Sequence, residues 1–409
     1  MTMDVPSKLL QLRDELRAEL TGNILPFWMT EAVDERYGGF AGWISNDGIV
    51  REEAPKGGIL NARILWTFSA AFRALDDDRY RRLAGRAKAY LDEHIWDDHH
   101  GGIYWMVGHS GTPLDERKHV YAQAFAVYAY SEHHRATGDA ASLERAVELY
   151  RLIERHAHDD AHGGYHEAFS RDWKLLDDVR LSEKDADERK SMNTHLHLLE
   201  AYANLYRVWR DAELEARLRE LVDLFLGVIT EAKTAHLVTF FDEDWEPKSD
   251  EISFGHDIEA SWLVLEAADV LRDHTLRERV QELSLRTARA VLEEGIDADG
   301  GLMYEAGPHG LTDTDKHWWP QAEAIVGFVG AYQESEDLAF LDAAVAAWDF
   351  TKRHIRDAEY GEWRGRVSRE GEPYDDPKLD PWKCPYHNAR ACLETIARAD
   401  AMAAAFTSS

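Results

Sequence analysis

The stretch GHDIEASWLVLEAADVL, residues 255–271, decides the fold. Apolar residues fall on nearly every face of the helix it predicts. A helix apolar all round is buried on both sides. Five more stretches read the same way: LNARILWTFSAAF from Leu60, VYAQAFAVYAY from Val120, MNTHLHLLEAYANLY from Met192, WPQAEAIVGFVGAY from Trp319 and YHNARACLETIARA from Tyr386. Between them lie charge-rich segments, such as residues 7–20, 80–94, 143–156 and 212–229. Their periodicity predicts helices with one dry and one wet face. A glycine-aromatic punctuation separates each wet helix from the next dry one. It reads YGGF at 37–40, HGGIYW at 100–105, HGGYHE at 162–167, GGLMYE at 300–305 and YGEW at 360–363. The sixth member, HLVTFFDEDW at 236–245, keeps the aromatics without the glycine pair. Gly38, Gly101, Gly163, Gly300 and Gly361 mark a repeat of about sixty residues. Glycine pairs followed by alternating aromatics predict tight hairpin-like turns with brief strand pairing.

Six outer amphipathic helices alternating with six inner buried ones predict an all-α (α/α)6 barrel. The open alternative, a solenoid, would want distinct polar caps at its ends. The first and last pairs resemble the middle ones, which favours closure. With no Pro/Ser-rich linker, residues 1–409 read as a single catalytic domain. The longest irregular stretch, 168–190, is expected to lie over the barrel mouth.

Composition narrows the function. Lys and Arg number 47 against 77 Asp and Glu, a net charge of −30. Such a surface repels nucleic acid and anionic lipid. No stretch approaches a membrane span. The N-terminus lacks the apolar core of a signal peptide, so a cytoplasmic enzyme is expected. Cys384 and Cys392 match no zinc-ligand spacing and read as core residues. Fourteen tryptophans suit either a large helical core or the stacking of sugar rings. Several histidines, including His94, His99, His100, His133 and His134, sit in charged or loop contexts and read as surface residues.

In such a barrel the inner helices all start at one end, so their first turns converge on one cavity. Standing there are Asn61 and Arg63; Tyr121 and Gln123; Asn193 and His197; His256 and Glu259; Trp319, Gln321 and Glu323; and His387 and Arg390. Asn193 and His197, four apart, share a helix face, while His195 points elsewhere. Glu259 is three residues from His256, a spacing that predicts a carboxylate orienting the imidazole. A lone helical histidine is usually structural; three on one rim point to chemistry. The donor types could bind a metal, but no HExxH or carboxylate-rich motif accompanies them, and no metal is expected. Histidine works near neutral pH as base and then as acid. Two histidines on opposite walls can remove a proton from one face of a carbon and return it to the other, with an arginine steadying the enediolate between. Glycoside hydrolysis would need opposed carboxylates, for which Glu259 and Glu323 are the candidates. A non-catalytic sugar-binding protein would not need three rim histidines.

At these residues the chain resembles the N-acylglucosamine 2-epimerase family. The resemblance runs nearly end to end and is carried by ILNARILWTF (59–68), RKHVYAQAFA (117–126), SMNTHLHLLEAY (191–202), SFGHDIEASWL (253–263), HWWPQAEA (317–324) and PYHNARACLE (385–394). The HWWPQAEA and NTHLH segments are similar to the branch acting on cellobiose. The resemblance implies an epimerase without cofactor, converting glucose to mannose at the reducing end of β-1,4-linked disaccharides such as cellobiose and lactose. It implies His387 and His256 as the acid/base pair, His197 as a third histidine, Arg63 on the enediolate oxygen and Glu259 behind His256. Tyr121 and Asn193 would bind hydroxyls, and Trp319 and Trp382 would stack on the sugar rings. A family member acting on a monosaccharide, acylglucosamine or mannose, could use the same pocket. The partner is then a small sugar, with a monomer as the expected state.

Overall fold

The computed structural model describes residues 4–182 and 185–408. The six dry stretches form the inner helices Gly58–Leu75, Val120–Thr137, Met192–Val208, Phe254–Leu271, Trp318–Ser335 and Tyr386–Ser408. The wet ones form the outer helices Val5–Glu19, Asp78–Tyr90, Ala140–His156, Ala212–Leu224, His274–Glu294 and Leu338–Phe350. Four outer helices run on into a single π turn, at Leu20–Ile24, Leu91–Ile95, Phe225–Ile229 and Thr351–Ile355. Each inner helix packs on the next, and the sixth packs on the first. That contact closes the ring and makes the fold an (α/α)6 barrel rather than a solenoid. The first outer helix covers the sixth inner one across the same seam. No helix among the described residues is long and apolar enough to cross a membrane.

All six expected turns are present, each closed by one antiparallel bridge: Val33 with Phe40, Trp96 with Ile103, His158 with Tyr165, Thr230 with Leu237, Ile296 with Leu302, and Arg356 with Trp363. The first left-handed position in each is held by a glycine except in the fourth, where Ala235 takes it at φ 66°. The strand pairing forms a second device. Strands of two or three residues join neighbouring repeats around the mouth: Lys56–Gly57 with Met106–Val107, Lys118–His119 with Ala168–Phe169, Lys190–Ser191 with Phe240–Phe241, Ile252–Ser253 with Glu305–Gly307, and Lys316–His317 with Arg366–Val367. An Ile44–Leu379 bridge completes the circle.

Five repeats carry a buried lysine just ahead of the inner helix, paired to an aspartate of the glycine turn. Lys56 Nζ lies 2.7 Å from Asp34, Lys118 Nζ 3.1 Å from Asp97, Lys190 Nζ 2.8 Å from Asp159 and Lys316 Nζ 2.7 Å from Asp299, and Lys378 meets Asp357. The second partner is often the turn itself, since Lys56, Lys190 and Lys378 also donate to the carbonyls of Gly38, Gly163 and Gly361. Removing one member of such a buried pair strands a charge, at about 3–5 kcal/mol. The fourth repeat has Ile252 at the lysine position. There His236 bridges Asp257 and Glu294 instead.

Candidate active site

Register along the inner helices decides which side chains enter the barrel. Counting from the first helical residue, the second and sixth positions lie one turn apart and share a face. They bring Tyr121, Asn193, Trp319 and His387 at the second position, and Arg63, His197, Glu259 and Glu323 at the sixth, to the open end of the barrel. The fourth position faces the other way. Gln123, His195, Asp257 and Gln321 accept from the backbone N–H groups of Ile103, Tyr165, Leu237 and Leu302, and so hold the glycine turns. Gln123 and Gln321 are therefore structural, as is Asn61, which donates to Gly57 O. In the fourth helix the second position is Gly255. A Cβ there would lie 2.5 Å from the Trp319 ring, so only glycine admits Trp319, and His256 enters from the third position.

All nine residues read from the sequence as site residues line one cavity of about 610 Å³: Arg63, Tyr121, Asn193, His197, His256, Glu259, Trp319, Trp382 and His387. Leu181, Ser182 and Asp185 of the 168–190 stretch form part of its wall, as expected of a mouth loop; residues 183 and 184 lie outside the described residues. Trp319 sits between the two principal histidines, with ring centroids 4.7 Å from His256 and 5.5 Å from His387. Arg63 donates to Tyr121 Oη at 2.8 Å and lies over the Phe125 ring. The Tyr121 ring meets His197 edge-on at 5.0 Å.

Beneath the cavity floor is a buried charge hub. Arg390 is 1% exposed. Its Nη2 lies 2.5 Å from Glu259 Oε1 and 2.6 Å from Glu323 Oε1, while Nη1 contacts Glu200 and Tyr386 Oη. Two of these carboxylates orient histidines. Glu323 Oε1 is 2.7 Å from His387 Nδ1, and Glu200 Oε2 is 3.0 Å from His197 Nδ1. The expected pairing of Glu259 with His256 is not the one formed. Glu259 points at Arg390, and His256 Nδ1 instead meets Ser253 Oγ at 2.7 Å. Three residues' separation put Glu259 near the right helix face, but a guanidinium from the opposite wall outcompetes a neutral imidazole for a carboxylate. A second correction concerns His133, which is buried and bonded to Ser142 Oγ rather than solvated.

Burial sets the protonation of the site. It pushes His256 down to about 3, with His197 adding to the effect. It pushes His387 well below the usual histidine range, helped by the guanidiniums of Arg63 and Arg390. Both imidazoles are thus neutral near pH 7 and can accept a proton. Burial and the neighbouring Glu323 raise Glu259 to about 7, against the pull of Arg390. Burial would raise Glu200 too, but Arg390 and His197 outweigh it and hold Glu200 at about 2. Glu259, Glu323 and His387 converge closely enough to hold a metal ion. Arg390 Nη2 already contacts Oε1 of both carboxylates, so a cation there would have to displace a guanidinium.

A family model for N-acylglucosamine 2-epimerase (GlcNAc 2-epimerase) matches residues 38–391. The chain belongs to that family. It is a sugar epimerase, and its partner is a small-molecule sugar. The cellobiose 2-epimerase of Bacteroides fragilis is 48% identical to this epimerase over 94% of its chain and 98% of the relative's. That of Dictyoglomus turgidum is 39% identical, over 95% and 98%. The solved structure of cellobiose 2-epimerase from Bacillus thermoamylovorans superposes on the epimerase with a TM-score of 0.91 at 42% identity, covering 95% of its chain and 99% of the other.

The hub is what sequence reasoning missed. Arg390 was visible as a rim residue, but its three carboxylates stand on three different helices. Only Glu259 and Glu323 were noticed, and Glu200 not at all. The available signal was Glu200 three residues after His197, the same spacing that misled at Glu259.

Proposed function

We propose that this protein interconverts glucose and mannose at the reducing end of β-1,4-linked disaccharides, cellobiose and lactose among them, without a cofactor or metal. The observation that carries the reading is the pair of neutral imidazoles, His256 and His387, facing one cavity from either side of Trp319 with Arg63 on the wall. The high identity to cellobiose 2-epimerases supports the substrate. Residues 1–409 act as one catalytic domain, a reading supported by the packing of the first outer helix on the last inner one.

The chemistry follows from proton bookkeeping. Ring opening moves the O1 proton to O5 through one of the imidazoles and exposes the aldehyde. One histidine then takes the C2 proton, and the electron pair shifts to C1–O1, giving an enediolate that Arg63 holds as a preformed cation. The negative charge that develops beside the second imidazole raises that ring's affinity for a proton, which its cavity nitrogen takes up from water. That histidine delivers this proton to the opposite face of C2, the first histidine releases the one it took to water, and the ring closes on the epimer. Which histidine acts as base depends on which epimer is bound. His197, with its ring fixed by Glu200, bonds the C1–C2 oxygens, and Tyr121 and Asn193 bond hydroxyls. Trp319 stacks on the reducing sugar. Trp382, 39% exposed and packed edge-on against Trp105, stacks on the distal one.

Proton NMR of the enzyme with cellobiose in deuterated water tests this. A mannose-type reducing end with deuterium at C2 is expected, absent with His387→Ala. Release of free glucose would make the protein a hydrolase. Turnover of N-acetylglucosamine or mannose, with cellobiose untouched, would place it with the monosaccharide epimerases and isomerases.

A further inference from the structure

Ser253 opens the fourth inner helix, where a serine ordinarily caps by accepting a backbone N–H of the first turn. Ser191, the serine in the same place one repeat earlier, caps by accepting from Thr194 N, and His119 accepts from Tyr121 N, while Gly57 and His317 make no side-chain capping bond. Ser253 makes no capping bond. Its side chain is turned instead onto His256 Nδ1, and the residue is only 5% exposed. That leaves Nε2 of His256 for the cavity. The other two rim histidines have carboxylate partners, Glu323 and Glu200. An ionised carboxylate only accepts, so it fixes a proton on Nδ1. A hydroxyl both donates and accepts. The ring backed by Ser253 can therefore be neutral in either tautomer: the hydroxyl accepts from Nδ1–H when the cavity nitrogen is bare and turns to donate to Nδ1 when the cavity nitrogen carries the proton, the proton itself exchanging through water.

We propose that Ser253 is a positioning residue for His256, holding the ring toward the substrate's C1–C2 unit and accommodating either tautomer, at the expense of its own helix cap. This rests on the epimerase chemistry set out above. The test uses Ser253→Ala and Ser253→Thr in the full chain, with cellobiose in deuterated water. In the alanine variant kcat for C2 exchange falls about 10–100-fold, the usual effect of losing a group that orients a functional histidine. KM stays within about three-fold, and Tm stays within about 2 °C because no capping bond is lost. Threonine, which supplies the same Oγ, restores most of the rate. Unchanged kcat in the alanine variant overturns the proposal, as does a rate loss that tracks a fall in Tm and is not rescued by threonine. Absence of C2 exchange in the unsubstituted enzyme overturns the substrate reading instead, and is seen before any variant is made.

Discussion

Replacing Arg390 with methionine removes one cation and leaves three carboxylates, Glu200, Glu259 and Glu323, facing one another with no counter-charge where the residues are at most 4% exposed. Methionine keeps much of the arginine stem's volume, so the loss is chiefly electrostatic. Removing one member of a buried ionic cluster costs about 3–5 kcal/mol. For 409 residues, an unfolding entropy of roughly 2 cal/mol/K per residue converts that to a fall in Tm of about 3–6 °C. The deficit depends on pH in a definite sense. Glu259 is held at about 7 even with Arg390 present, and Glu323 is also raised; both rise further without it. A carboxyl whose folded value lies above its unfolded one favours the fold at low pH and loses that advantage as pH rises through the folded value. The gap between variant and parent is thus smallest at about pH 5 and largest at about pH 8. Calorimetry of both proteins across that range is the assay, with Glu259→Gln added to the variant as a control that narrows the gap. A deficit below about 1 kcal/mol, or one that ignores pH, would show that Arg390 is not the charge on which these carboxylates depend.

Trp382→Ala should raise KM for cellobiose while changing mannose binding little, because the exposed indole is placed for the distal ring; equal effects on both sugars would remove that role. Gly164→Ala should destabilise by about 2–4 kcal/mol in urea unfolding, from the left-handed backbone and overpacking together. The added Cβ would lie 2.4 Å from the Trp245 ring and 2.7 Å from His195 Nε2, at φ 73°. Dialysis against a chelator should leave epimerisation unchanged; activity lost and then restored by one added metal would mean that an ion displaces Arg390.

The fold was legible because its signal repeats. One buried helix is ambiguous, but six at a fixed period with glycine turns between them admit few architectures, and the missing sixth turn was found at Thr230–Leu237 although Ala235 stands in for the glycine. The site was legible to the level of which residues share the cavity, because most stand at the second and sixth helical positions, which follow from periodicity; His256 enters from the third position, and Trp382, outside the helices, came from the resemblance alone. Partners were not. The Ser253–His256 bond, the Glu323–His387 bond and the Arg390 hub join residues whose rotamers answer to the whole barrel. The hub spans as many as 190 positions of chain. The buried lysines were overlooked although an aspartate four residues before four of the five marked glycines pairs with one of them, at Asp34, Asp97, Asp159 and Asp357. Lysine is so often solvated that its repetition ahead of five inner helices drew no notice.

Those lysines have a consequence for chemical labelling. Lys56, Lys118, Lys190, Lys316 and Lys378 have side chains at most 1% exposed. An amine-reactive reagent in water meets them only when the rim of a given repeat comes apart. Lys118, lowered to about 8 by burial, would react quickly once reached, since its amine sheds its proton readily. The order in which these five sites acquire label, read by mass spectrometry under mild denaturant, would therefore be a residue-by-residue record of where the ring first opens.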